Sequence, residues 1–211
     1  MKEYKSFNMN ELTNNTNIIG VLINKENNSD LLDICPNRDF MDLALVYKLK
    51  LRSGSCYAHI TYDVMESMGV SESDLYEAAI DNLMAMKASI RDICRVIDDL
   101  SIQTYGVNRR TPMYDEPKMF VVSNEDGVFG AINLLRPVIF QLLADRFNSD
   151  LYIIPSSIHE LIVVPRDPDC DFDDTINDII CSINENEVPY DSVLADHAYL
   201  YMRETNSLRI V

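Results

Sequence analysis

From residue 119 to residue 205 the chain alternates between short runs rich in β-branched and aromatic residues and longer runs whose apolar residues recur every three or four positions. Neither kind of run can bury its apolar side alone, so the alternation predicts a sheet with helices packed on it. The strand-like runs are 119–122, 151–154, 160–164 and 197–203. One helical run, 130–148, carries Ile132, Leu135, Ile139, Leu142, Leu143 and Phe147 on its inner face. The other, 174–184, carries Ile176, Ile179, Ile180 and Ile183 inward. Pro137 has no backbone N–H to donate, so the first helix must kink there or begin late. Asn124-Glu-Asp-Gly127 reads as a turn, Pro155-Ser-Ser-Ile-His159 as the connection between two strands, and 165–173 as an acidic loop.

The first half is less regular. Residues 1–17 are a polar, Asn-rich arm, 18–23 a short strand and 36–39 a turn. Residues 41–51 set Leu43, Leu45, Tyr47, Leu49 and Leu51 against Asp42, Lys48, Lys50 and Arg52, with Ala44 and Val46 between the charges. That period of two predicts a half-buried strand. Ser53-Gly54-Ser55 turns it into a hairpin partner at 56–61. A helix at 62–68 stops at Gly69. The next starts at Ser71-Glu-Ser-Asp74, which has the form of a capping box. Its stripe is Leu75, Ala78, Ala79, Leu83, Met86 and Ile90, continuing through Ile93, Val96 and Ile97 to Leu100. Residues 106–117, with Arg109, Arg110, Pro112 and Pro117, read as a loop. The expectation is an α+β fold: one domain over 18–211, with a hairpin and helices at 18–105 and a β-α-β-β-α-β order at 118–205. Its sheet is mixed or mainly antiparallel, with helices on one face.

The charge is lopsided: Asp and Glu number 34 against 18 Lys and Arg, a net charge of -16. Such a field repels nucleic acid and anionic lipid, which argues against a direct DNA or RNA binder and against a membrane surface. The charge is also segregated. From 167 to 202 the chain holds Asp167, Asp169, Asp171, Asp173, Asp174, Asp178, Glu185, Glu187, Asp191 and Asp196 but no Lys or Arg. From 53 to 86 it holds Asp63, Glu66, Glu72, Asp74, Glu77 and Asp81, again without a cation. Surfaces ordinarily mix signs, because like charges packed together oppose folding. The expected role is a non-enzymatic interaction protein whose surface at Asp167, Asp169, Asp171, Asp174, Asp178, Glu185, Glu187, Glu72, Asp74, Glu77 and Asp81 meets a basic protein. Spaced carboxylates can imitate a phosphate track, so a nucleic-acid enzyme with a positive channel, such as a Cas9-type effector nuclease, is a natural target. Alternatively the chain is a structural or regulatory module and the charge serves solubility.

Signals for chemistry are sparse. The five cysteines form no C-x-x-C pair, and scattered thiols suit a reducing cytosol. The N-terminus has no apolar core of signal-peptide length, so a cytoplasmic location is expected. A small hydrolase or transferase would use Ser157 or Cys181 with His159 or His197, but no G-x-S-x-G elbow or oxyanion loop accompanies them. Serine hydroxyls in a strand connection and a thiol on an isoleucine-rich helix also suit structural roles, and His59 reads as a packed or hydrogen-bonded histidine. Three histidines without H-x-H or H-x-x-x-H spacing do not make a zinc site. The run from Asp167 to Asp174 fails the EF-hand pattern at Phe172 and Asp178, where Gly and Glu are needed. Asn124-Glu-Asp-Gly127 before Gly130 lacks the Lys-Ser or Lys-Thr of a phosphate loop. No cofactor or metal is expected.

Four stretches, CPNRDFMDLALVYKL (35–49), MFVVSNEDGVFGAINLLRP (119–137), LYIIPSSIHELIVVP (151–165) and EVPYDSVLADHAYLYMRET (187–205), resemble a family of uncharacterised bacterial proteins. It is the domain of unknown function numbered 5688. The resemblance implies no activity. Genes of this sort sit in mobile elements, which adds an anti-CRISPR, phage counter-defence role to the expectations.

Overall fold

The computed structural model describes residues 17–51, 56–105, 119–167 and 173–211, with side chains apart from 100–105, 173 and 174. The arm at 1–16, the Ser53-Gly54-Ser55 turn and the 106–117 loop lie outside the described residues. The chain divides into two compact units, residues 1–86 and 87–211.

The first unit is built on β3 (Leu43–Lys50). Strand β1 (Ile18–Asn24) lies antiparallel along one edge, from Ile18 opposite Leu49 to Asn24 opposite Leu43. On the other edge β2 (Asn37–Phe40) and β4 (Tyr57–His59) follow one another, both antiparallel. Between β1 and β2 runs the short helix α1 (Ser29–Ile34). The expected turn at 36–39 is therefore strand, because the open edge of β3 gives its backbone partners. The reversal falls at Met41-Asp42 instead, with Met41 at φ 55° and Phe40 paired to Leu43. The expected half-burial of β3 also gives way. Leu43, Ala44, Leu45, Val46 and Tyr47 are all buried; successive residues point to opposite faces, so both faces of this stretch of β3 are covered.

Local signals set the helices of this unit. Thr61 Oγ1 accepts from Val64 N at the start of α2 (Tyr62–Met68), and Gly69 ends it at φ 67°. Helix α3 (Glu72–Ala85) opens with the capping box: Ser71 Oγ accepts from Asp74 N at 3.2 Å and Asp74 Oδ2 accepts from Ser71 N at 2.7 Å. It buries Leu75, Ala78, Ala79 and Leu83. The stripe does not run on to Leu100. The helix ends at Ala85, β5 (Ala88–Asp92) follows, and a new helix α4 (Ile93–Tyr105) begins. Ile90, expected inside, is 39% exposed. Strand β5 exists because β6 (Phe120–Asn124) pairs with it from Ala88 opposite Asn124 to Asp92 opposite Phe120.

The second unit carries a six-stranded antiparallel sheet in the order β10-β9-β7-β8-β6-β5, with β7 (Leu151–Ser157), β8 (Glu160–Pro165), β9 (Tyr199–Met202) and β10 (Ser207–Ile210). Strand β10 has no counterpart in the sequence reading. Strand β7 runs further than expected, through Pro155 to Ser157 by way of a bulge. A bulge tolerates a proline that donates no ladder bond, and the connection shrinks to Ile158-His159. After β6 a 3₁₀ helix (Gly130–Leu135) leads into α5 (Pro137–Phe147), with Pro137 in the first turn. This is the late start that Pro137 predicts.

Helix α5 buries Ile139, Phe140, Leu143 and Ala144, while Leu142, expected inward, is 64% exposed. It lies over the face of Tyr201 and Phe120, with ring centroids of Phe140 and Tyr201 5.9 Å apart and those of Phe147 and Phe120 5.8 Å apart. Helix α6 (Asp173–Glu187) packs Ile176 and Ile180 against Tyr152, Ala198 and Leu200. Leu151 pairs with Tyr201 and Tyr152 with Leu200, and neighbours along a strand point to opposite faces. The two helices therefore lie on opposite faces of the sheet, where one face was expected for both. The class is α+β with antiparallel sheets. No helix among the described residues is long and apolar enough to cross a membrane.

Candidate functional site

The acidic residues fall into two sets, one in each unit. On α6 the helix is anchored by its inner stripe. Asn184 donates to the carbonyl of Ala195 at 3.0 Å and to Asp196 Oδ1 at 2.8 Å. Asn177 accepts from Ala198 N at 2.9 Å and donates to Val211 O at 3.1 Å. With about 100° per residue, this anchoring turns Asp178 and Glu185 away from the sheet, and both are exposed, as is Glu187. Ile179 and Ile183, expected inward, lie on the flank and are 46% and 49% exposed. Ile176, Ile180 and Asn184 form the stripe that faces the sheet. Glu185 and Glu187 stand in the last turn of α6, which holds no basic residue. Carboxylates there oppose the helix dipole. Asp167 is exposed beyond β8. Asp169, Asp171 and the side chain of Asp174 lie outside the described residues.

On α3 the carboxylates differ in kind. Glu72 accepts from Tyr47 Oη and, at 2.7 Å, from Arg38 Nη2, whose guanidinium lies 3.8 Å from the centroid of the Tyr76 ring. Burial, together with the Glu72 carboxylate, pushes the Tyr47 phenol well above its usual range. Glu72 thus ties α3 to the sheet and is removed from the expected partner surface. Asp74 serves the capping box, and its bonds to Ser71 hold its carboxyl below the usual range. Glu77 and Asp81 remain exposed, four residues apart on one face.

The residues proposed for chemistry each make contacts of a structural kind. Ser157 Oγ accepts from the backbone N–H of His159 at 3.1 Å. The His159 ring turns elsewhere: its Nδ1 accepts from Phe129 N at 3.1 Å, and it stacks on Phe129 at 5.4 Å. Cys181 donates to the carbonyl of Asp196 at 3.3 Å, and burial with the carboxylates of Asp196, Asp178 and Glu185 pushes its thiol up. That disfavours the thiolate a nucleophile needs. His197 Nδ1 donates to the Ala198 carbonyl at 3.1 Å, with its ring edge-on to Tyr199.

His159 instead stands at a buried junction that the sequence reading did not assemble. Its carbonyl accepts from Gly130 N at 2.9 Å and from Ser123 Oγ at 2.8 Å. Ile158 is bonded to Ala131 and to Ser192, so the stretches 119–137, 151–165 and 187–205 meet here. Asn133 donates to Asn124 Oδ1 at 3.0 Å and to Gly130 O at 2.8 Å, and Asn124 donates to Val128 O at 2.8 Å. A Cβ on Gly130 would fall 2.3 Å from Ser123 Oγ and 2.4 Å from His159 O. The Asn-Glu-Asp-Gly turn followed by Gly130 was the visible signal. It serves close packing, with Gly127 at φ 72° and its N–H donated to Asn124 O. In the first unit His59, opposite Lys48 in the β3–β4 pair, buries Nδ1 without a hydrogen-bond partner.

Antiparallel α+β units with an outward acidic helix define the class only coarsely. The chain belongs to the Family of unknown function (DUF5688), whose model matches residues 2–203. No curated protein and no solved structure matches it.

Proposed function

We propose that the protein is an acidic interaction module that binds a basic protein partner through the outer face of α6. The observation that carries this reading is the placement of Asp178 and Glu185 on that face, with Glu187 exposed at the end of the helix. All three are exposed, and none enters an ion pair among the described residues. Two stand at the helix end where a carboxylate costs stability. Carboxylates that serve folding look different in this molecule: Glu72 is tied to Arg38 and Tyr47, and Asp74 to Ser71. The flanking Ile179 and Ile183 supply apolar contact beside the charge, as a binding patch does. The loop carboxylates Asp167, Asp169 and Asp171 extend the negative stretch in sequence, and Glu77 and Asp81 form a lesser set on α3. A positively charged nucleic-acid channel, that of a CRISPR effector nuclease included, has the complementary sign, as has any basic partner with an apolar seam.

The test is capture of partners from the source cell at low and high salt, by wild type and by a variant with Asp178→Asn, Glu185→Gln and Glu187→Gln. A partner retained by wild type at low salt, released at high salt and lost by the variant supports the reading. Equal capture by both proteins overturns it.

A further inference from the structure

The sheet of the second unit carries α5 on one face and α6 on the other, and each helix shows an exposed ridge of the same form. On α5 the ridge is Val138, Leu142 and Arg146, four residues apart and all exposed. On α6 it is Ile179, Ile183 and Glu187, with the same spacing and exposure. Each ridge is two large apolar side chains followed by a charge in the last turn, cationic on α5 and anionic on α6. Neither Arg146 nor Glu187 enters an ion pair among the described residues. Residues four apart form one row on a helix surface. Such rows interdigitate in the commonest helix-on-helix packing, at about −50°. Laid in the same sense, the two ridges match apolar to apolar and Arg146 to Glu187.

Because the helices lie on opposite faces of one sheet, the ridges cannot meet within a chain. The wider charge separates across the sheet in the same direction. Arg136 stands at the start of α5 and Arg203 donates to Asp145 on it, whereas the chain from 167 to 202, α6 included, holds no Lys or Arg. Charge therefore favours an α5 face meeting an α6 face over two α6 faces meeting. We propose that the α5 ridge of one copy docks on the α6 ridge of a second copy, head to tail. Such a contact joins unlike surfaces and leaves one ridge of each kind open at the ends, so it extends into a chain or a ring and does not close as a two-fold dimer. Ile179 and Ile183 also flank the proposed partner face, so assembly is measured on the protein alone and its outcome is independent of any partner.

The experiment is sedimentation equilibrium of the full chain from about 10 µM to about 1 mM, the range in which one small helix contact assembles. Chains of net charge -16 repel at long range, so the salt is held at about 0.15 M, where screening shortens to ~8 Å. The average mass is expected to rise with concentration past twice the 24.1 kDa of one chain. Leu142→Asp and Ile183→Asp, both at exposed positions, should each leave the protein at the mass of one chain. Mixed in equal amounts they should pair and stop at two chains, since the first keeps the α6 ridge and the second the α5 ridge. Arg146→Glu should weaken association at least about tenfold, and Glu187→Arg added to the same chain should restore it. The proposal is overturned if the wild type stays at one chain up to about 1 mM or stops at two. It is equally overturned if either aspartate variant assembles like the wild type, or if the mixture associates no more than each variant alone.

Discussion

His59 should make the first unit lose stability in mild acid. Its Nδ1 is buried and finds no hydrogen-bond partner among the described residues. Burial, with the charge of Lys48 opposite it, lowers its pKa from 6.5 to about 4. In the unfolded chain both influences vanish. Between pH 6.5 and pH 4 the unfolded state therefore binds the proton that the folded state refuses, so stability falls as pH falls through that window. At ~1.36 kcal/mol per pH unit the full gap is worth about 3.4 kcal/mol. Partial solvation of the half-buried ring reduces this to about 2–3 kcal/mol between pH 7 and pH 4. His59→Leu removes the titrating group and keeps an apolar side chain in its place. Urea unfolding of wild type and variant, followed by circular dichroism at both pH values, gives the difference directly. Carboxylates titrate in both proteins, so the double difference isolates His59. Wild type should lose about 2–3 kcal/mol more than the variant on acidification. Equal losses would refute the argument that the ring is neutral and desolvated in the folded state.

Three further outcomes follow from the geometry. Gly130→Ala forces a Cβ against Ser123 and the His159 carbonyl, and overpacking of this kind costs ~1–3 kcal/mol or more; an unchanged melting temperature would contradict the close approach. His159→Ala removes the acceptor of Phe129 N and should cost ~1–3 kcal/mol in thermal unfolding, whereas loss of a binding or enzymatic activity at unchanged stability would restore the catalytic reading of Ser157 and His159. A single-cysteine variant retaining Cys181 should react with a disulfide reagent at least ~10-fold more slowly near neutral pH than one retaining the exposed Cys56; comparable rates would show that the carboxylates around Cys181 do not suppress its thiolate.

What could be read from sequence was what short-range chemistry decides. Gly69 ends α2, Ser71 and Asp74 cap α3, and Pro137 sets the start of α5, because each acts on backbone groups within a turn of itself. Most of the errors involve partners far along the chain. Ile90 fits a helical stripe as well as a strand, and only β6, some thirty residues on, decides for strand. Ile179 and Ile183 satisfy the same three-and-four spacing as Ile176 and Ile180, and the anchors of Asn177 to Ala198 and Val211 and of Asn184 to Ala195 fix which pair faces the sheet. The outward placement of Asp178 follows from that periodicity, whereas Glu185 lies past the helix end read at 184 and is helical only in the structure. The inward role of Glu72 does not follow from spacing, since Arg38 and Tyr47 come from other strands.

The most direct test of the interaction-module reading is the association rate of the captured partner as a function of ionic strength. Charges at an exposed helix face act over a Debye length, which shrinks from ~14 Å at about 50 mM salt to ~4 Å at about 500 mM. They act mainly on encounter rather than on escape. Wild type should associate at least ~10-fold more slowly at the higher salt, with a nearly constant dissociation rate. The variant neutralised at Asp178, Glu185 and Glu187 should already be slow at low salt and respond little to more. A wild-type association rate indifferent to salt, or a neutralised variant that binds at the wild-type rate, would contradict the account and leave the net charge of -16 as a determinant of solubility alone.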